Sequence, residues 1–454
     1  MRSSTNSPIY YASLLLALLG VLSSYFIIDI QQGIGLWGAQ YTGTITILQF
    51  AWLSLCMLSA WKYAPPLHSI SDCQHLLGIA LIAHLILIPI DSYTSNDITR
   101  YLFDGKIALE GLDPYSINHN NNQLTQLKNQ WAPPPEHAKY TTLYPPLALG
   151  LFSLSASAGI TYASVVWKIL VAFASIGSLC ASALILQHIQ RLAYLPLIAL
   201  SPLLILETGV GAHVDAFSTL FVCLCIWAWQ RNKLLLSGVF IALGTLVKLL
   251  PLALLLPLFF SARSRKDAFT LCASTISVII SAYALMFLLG FRPIGSISIF
   301  FQKWRFGSPA FQTLDSLLSS NTLIIVILTT LASVSALIAW RCFQIGRRSP
   351  STNQQNTIYA SIQYMLALPL LLSPVIFPWY LMPLVPLLSM YTRPWLLLWI
   401  LLAPLSYEVL GQFACCNNWA PAQWPLFILA AGLGIGLFLH TKFNDKKSSQ
   451  APAL

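Results

Sequence analysis

The stretch ITYASVVWKILVAFASIGSLCASALIL, Ile160 to Leu186, runs for 27 residues with one charged side chain, Lys168. A bilayer core about 30 Å thick needs about 20 apolar residues of helix to cross it, so this stretch is long enough. Apolar runs of about 16 to 27 residues recur from Ile9 to Leu439, which fits helices and not the short alternating strands of an outer-membrane barrel. Composition agrees. Of 454 residues, 57% are hydrophobic and 8% charged, with a mean hydropathy of +0.71, whereas soluble domains carry about 25% charged residues. The expected fold class is all-α: a polytopic transmembrane helical bundle of about 12 to 14 spans, forming one integral membrane domain over residues 1–454 with no soluble catalytic module. The net charge of +10 is spread over short loops, where it sets topology and does not point to nucleic acid.

Placing Lys and Arg by the positive-inside rule gives a path with both termini cytoplasmic, from Arg2 through Lys62, Arg191, Arg231, Lys233, Arg263, Arg265, Lys266, Arg341 and Arg393 to Lys442. On it about 11 of the 14 acidic residues fall at or beyond the outer face. The first apolar run, Ile9 to Ile28, lacks a small-x-small cleavage pattern and is expected to be a retained helix. Further spans are expected at Leu192 to Leu206, Trp379 to Met390 and Trp395 to Leu410, among others. The run Leu234 to Phe260 has basic clusters at both ends and Lys248 and Pro251 in its middle. One crossing would put a basic cluster outside, so 234–260 is expected to be a broken helical hairpin that carries Lys248 to the outer face. Most cysteines lie in apolar runs; the vicinal pair Cys415-Cys416 would close a strained ring, which argues against a disulfide.

The longest polar stretch begins at Asp91. Residues 91–158 are expected to form an outer loop with membrane-parallel helices, one over Ser95 to Gly111 and one opened by Pro145-Pro146. In the first, Ser95 or Asn96 can cap the helix, Lys106 and Glu110 can pair, and Gly111 can end it.

These residues carry a resemblance. Asn96-Asp97, Arg100-Tyr101-Leu102-Phe103-Asp104-Gly105, Asp113-Pro114-Tyr115 and Tyr144-Pro145-Pro146, followed by Glu207, His213-Val214-Asp215, Lys248-Leu249-Leu250-Pro251, Trp304-Arg305-Phe306 and Pro378-Trp379-Tyr380, are similar in order and spacing to the GT-C superfamily of polytopic glycosyltransferases, and within it to bacterial mannosyltransferase-like proteins. The resemblance implies a membrane glycosyltransferase of the inner (plasma) membrane. It would move a hexose, mannose first among the candidates, from a polyprenyl-phosphate donor to a glycolipid, glycan or protein acceptor on the periplasmic face, with inversion.

Such transfer needs a base for the acceptor hydroxyl, cations for the departing phosphate and a dry groove for the lipid. Asp97 is the candidate base; its alternative is a helix cap or a partner of Arg100. Lys248, Lys303 and Arg305 are candidates for the phosphate, with Lys168 a further one; each could instead be a snorkelling or interfacial anchor. Glu207, His213 and Asp215 could bind sugar hydroxyls or steer the base; His213 with Asp215 could instead be a buried polar pair that locks two helices. Arg100, Tyr101, Tyr144 and Tyr380 are candidate substrate contacts. Asp104 is one too, although pairing with Arg100 or Lys106 is its more ordinary role. No cofactor is expected. A divalent metal lacks support, since the loop offers one carboxylate at Asn96-Asp97 and His213 has no second His or Cys at ligand spacing. The rival readings are a transporter or lipid flippase, which would show two related halves with paired broken helices, and a non-catalytic polysaccharide-assembly subunit. A cytoplasmic sugar-nucleotide enzyme is disfavoured because the chain has no glycine-rich phosphate loop.

Overall fold

The structure is a computed structural model that describes residues 7–34, 38–296, 302–346 and 352–449. Arg2 and both chain ends, where cytoplasmic termini are expected, lie outside the described residues. Within them the chain is an all-α polytopic bundle whose one extended pairing is an isolated bridge between Phe306 and Val375. Nine of the described helices are long and apolar enough to cross a membrane: Pro8–Gln31, Ala39–Lys62, Ile70–Leu87, Ala163–His188, Leu192–Gly209, Arg265–Leu288, Ser320–Ile345, Pro394–Cys416 and Trp424–Lys442. Shorter apolar helices, Asp215–Gln230, Leu234–Val247 and Leu250–Phe260, stand among them. Burial grades outward, as a lipid-solvated bundle requires: 89% of the Leu192–Gly209 window is buried, against 11% for Ser320–Ile345.

Proline breaks several runs that were expected to be continuous. The Leu192 to Leu206 run is a 3-10 turn followed by two helices that begin at Pro196 and Pro202. Trp379 to Met390 is no crossing helix, but a 3-10 turn at Pro378–Leu381 and a short helix, Leu384–Met390. The run from Trp395 passes through a 3-10 segment at Ala403–Glu408 with Pro404 in its first turn. The cause is the same each time: proline lacks an N–H and clashes with the preceding turn, but starts a helix without cost. The Leu234–Val247 helix stops because Lys248 is extended, at φ −155 and ψ 139, and the chain resumes in the 3-10 turn Leu250–Leu254. Contrary to the ring-strain argument, Cys415 and Cys416 are joined as a disulfide.

The outer-loop helix spans Asp97–Leu109. The Asp97 N–H donates to Ser95 Oγ at 3.0 Å, Lys106 pairs with Glu110, and Gly111 turns the chain at φ +73. It lies against the Pro146–Ala156 helix, with Tyr101 stacked on Phe152 at 4.6 Å between ring centroids. That contact needs Gly105, where a Cβ would lie 2.3 Å from the Phe152 carbonyl carbon. The Asp113-Pro114-Tyr115 turn is knitted to the same place. Thr142 N–H donates to Pro114 O at 2.9 Å, and Tyr115 OH donates to Tyr144 O at 2.7 Å.

Gly105→Val should therefore lower the melting temperature in detergent by an amount equivalent to about 1–3 kcal/mol of overpacking. Gly78→Ala, where an added Cβ meets nothing within 4 Å, should leave it unchanged. Equal melting of the two variants would contradict the close contact.

Candidate functional site

One cavity of about 420 Å³ opens at the end of the bundle that carries the outer loop. Its wall is assembled from the turn Ser92–Asp97, the strap from Glu136 to Tyr144, Lys248 at the helix break, the turn from Phe377 to Tyr380 and the segment from Leu410 to Trp419. Each is a place where a helix starts or stops, because only there does polar chain reach the edge of an apolar bundle without leaving backbone groups bare in lipid.

Asp97 stands at the first turn of its helix with 16% of its side chain exposed, toward the cavity. Tyr101, one turn on, donates its hydroxyl to Asp97 Oδ2 at 3.4 Å. Burial, reinforced by the neighbouring Asp97 and Tyr144, holds the Tyr101 phenol well above its usual range, so it stays a donor at ordinary pH. Behind Asp97 stands His213, fully buried, with Nδ1 3.6 Å from Asp97 Oδ2 and Nε2 3.5 Å from Glu207 Oε2. Neither ring nitrogen makes a hydrogen bond; the spacing is that of electrostatic contact. Tyr407 OH donates to the other oxygen of Glu207. The His213 ring is clamped by stacking on Trp379 at 3.8 Å, and Trp379 stacks on Phe377 at 4.4 Å. Gly211 makes this convergence possible, since a Cβ there would lie 2.5 Å from the His213 ring and 2.9 Å from Glu207 Oε2.

Lys248 lines the same cavity. Its Nζ is 2.6 Å from Asp215 Oδ1 and 3.7 Å above the centre of the Tyr380 ring. With 25% of its side chain exposed, it is part of the cavity wall. Arg100 is a second lining cation. It donates to Thr141 O at 3.5 Å and lies 5.9 Å from the centre of the Tyr144 ring.

Of the residues singled out in the sequence, Asp97, Arg100, Tyr101, Tyr144, Lys248 and Tyr380 are brought together on the cavity wall. Glu207, His213 and Asp215 stand one layer behind, against Asp97 and Lys248. The others are placed elsewhere. Asp104 is buried and paired with His119 Nε2 at 2.7 Å; it is not among the cavity-lining residues, and it acts on Arg100, one turn away on its helix, through charge and not through an ion pair. Lys303 is exposed outside the lining, and Arg305 pairs with Asp315 at 3.2 Å and covers Phe311, leaving Trp304 as the lining residue of that motif. Lys168 is 3% exposed and spends its ammonium on main-chain carbonyls: Gly209 at 3.0 Å, Leu87 at 3.5 Å, and Ile90. Four contributors have no signal in a single sequence. Glu136, Lys139 and Trp419 line the cavity, and Tyr407 holds Glu207. Among the described residues, no group of three or more His, Cys, Asp or Glu side chains is placed to hold a metal ion.

The family described as alpha-(1->6)-mannopyranosyltransferase, N-terminal domain, matches residues 11–263, which include Asp97, His213 and Lys248. No curated protein matches the chain, and no solved structure does.

Lys168→Met would leave those carbonyls without a donor in an apolar interior, at about 1–3 kcal/mol for each orphaned group. Its melting temperature should fall well below that of wild type, and Lys168→Arg should recover part of the loss. Wild-type melting of Lys168→Met would contradict this placement.

Proposed function

The chain belongs to the alpha-(1->6)-mannopyranosyltransferase family, of the GT-C type, and from that premise we propose that it transfers mannose from a polyprenyl phosphate to a glycan or glycolipid hydroxyl at the outer face of the inner membrane. Family membership makes it a membrane glycosyltransferase with a sugar donor and a glycan acceptor. The donor lipid and the side of the membrane are our reading. One observation carries the mechanism: the cavity presents a carboxylate, Asp97, and a lysine, Lys248, each held from behind by buried polar partners.

In this mechanism the acceptor oxygen attacks the anomeric carbon as its proton passes to Asp97. The bond between that carbon and the phosphate oxygen breaks, the polyprenyl phosphate departs with the electron pair, and the configuration inverts. Tyr101 donates to the carboxylate and His213 backs it at 3.6 Å. Lys248 and Arg100 meet the charge that develops on the leaving phosphate, which is worth most in a water-poor site with fixed donors. The lipid-facing surface around the bundle offers the prenyl chain an apolar path.

Charge distribution supports the outward orientation. The cavity end holds Asp97, Glu136, Glu207 and Asp215. Lys62, Arg191, Arg231, Lys233 and Arg393 sit at the opposite ends of the helices that lead to it. The family match speaks against a transporter or a non-catalytic subunit.

Purified protein in nanodiscs, given a panel of polyprenyl-phosphate sugars and a lipid-linked glycan acceptor, should consume the mannosyl donor. Asp97→Asn should cut turnover by about 10²–10⁴-fold, the usual worth of a general base, without a change in melting. Lys248→Ala should raise the KM for donor and lower turnover as well, because it loses a contact that strengthens at the transition state. Normal turnover by Asp97→Asn would overturn the mechanism.

A further inference from the structure

At the end of the bundle remote from the cavity, Arg191 reaches the residue next to Arg393, and neither arginine has an ion pair among the described residues. Arg191 Nη2 donates to Thr392 Oγ1 at 3.2 Å, so it abuts the residue preceding Arg393. The Arg191 guanidinium lies 4.0 Å from the centre of the Tyr194 ring. Arg393 lies 4.3 Å from the centre of the Tyr364 ring and 4.9 Å from that of Tyr391. Arg393 is only 5% exposed, yet its Nε and Nη1 reach no acceptor, and the buried Nε of Arg191 reaches none either. Among the described residues the ion pairs lie elsewhere, and no Asp or Glu pairs with either arginine.

Buried cations are ordinarily paired and their N–H donors used. Aromatic faces offset part of the charge, but they give no acceptor in the plane of a guanidinium, where its donors point. Two guanidinium forks with spare in-plane donors match an oxyanion that offers several acceptors at once. We propose that Arg191 and Arg393 form a binding site for a phosphate group.

This site is distinct from the cavity. The span Leu192–Gly209 leads from Arg191 to the turn before His213, and Pro394–Cys416 leads from Arg393 to the cavity wall. The Leu192–Gly209 run is 18 residues, at about 1.5 Å per residue up to roughly 27 Å of path with its proline breaks, on the order of the thickness of a bilayer core. The arginines therefore sit at the level of the opposite leaflet's headgroups, beside Tyr194, Tyr364, Tyr391 and Trp395, residue types that collect at that interface. A phospholipid phosphate reaches this level from the membrane and a free phosphate from solution.

The test uses the full chain, delipidated in a neutral detergent, with phosphatidylglycerol, phosphate-free diacylglycerol or inorganic phosphate added, read by melting temperature and by native mass spectrometry. Phosphatidylglycerol should raise melting by about 3 °C through preferential binding to the folded state and be retained as an adduct. The Arg191→Gln/Arg393→Gln variant should lose both effects. Should that variant fail to fold, Arg393→Lys, which keeps the charge but not the fork, should show a reduced gain. A gain from inorganic phosphate that is lost in the same variants would support the site and assign it to free phosphate. No gain from either phosphate source, an equal gain from diacylglycerol, or a full gain in the variants would overturn the proposal.

Discussion

The site depends on how an apolar bundle satisfies the carbonyls at its helix ends. Where the Ile70–Leu87 and Leu192–Gly209 spans end side by side, no water of the bilayer interior is there to hydrogen-bond them, and Lys168 donates to Leu87, Ile90 and Gly209 together. The neighbouring Trp167 donates its Nε1–H to Ala212 O at 2.7 Å, so adjacent residues of one helix fix both turns. Gly209 fits against Leu87 with no room for a Cβ, which would come within 2.4 Å of it. Seven residues beyond Ile90 stands Asp97, and four beyond Gly209 stands His213. Their meeting at 3.6 Å follows from that tie between main chains.

The same economy governs the cation. A lysine in the middle of an apolar helix would be costly unless it snorkelled or was paired. Here the helix ends at Lys248, Asp215 receives its ammonium, and Tyr380 covers the rest. Each reactive group is therefore backed by a buried partner behind the cavity wall, Asp97 by His213 and Lys248 by Asp215. Such preorganisation lets fixed charges act on a transition state without first being reoriented.

Much of this was legible in the sequence, and for physical reasons. Hydropathy marks membrane helices because their side chains must suit lipid over a fixed length. The break at Lys248 was visible because an ionisable residue and a proline interrupt an apolar run with basic residues at both ends. Asp97 stood out because the resemblance to GT-C glycosyltransferases falls on it, and its helix was legible from its own start and stop signals, Ser95 or Asn96 and Gly111. What stayed hidden were partners joined only by the fold. Glu207 and Tyr407 are 200 residues apart, and Lys168 bonds main-chain atoms, which have no side-chain signature. Arg305 looked free for phosphate because its partner, Asp315, becomes near only once the Pro309–Leu317 helix forms. Asp104 found His119 rather than a neighbour on its own helix, since the turns that follow fold that imidazole back against Phe103 at 4.7 Å between rings.

The central claim is that donor phosphate and acceptor base share one cavity, with Lys248 at the phosphate and Asp97 at the sugar. A cryo-electron microscopy structure of the protein in nanodiscs with a bound polyprenyl phosphate tests it most directly. The account predicts phosphate density in hydrogen-bond reach of Lys248 Nζ, the prenyl chain leaving along the apolar bundle surface, and open space between the phosphate and Asp97 large enough for one hexose. Phosphate density outside this cavity, or a prenyl chain filling the space in front of Asp97, would contradict it.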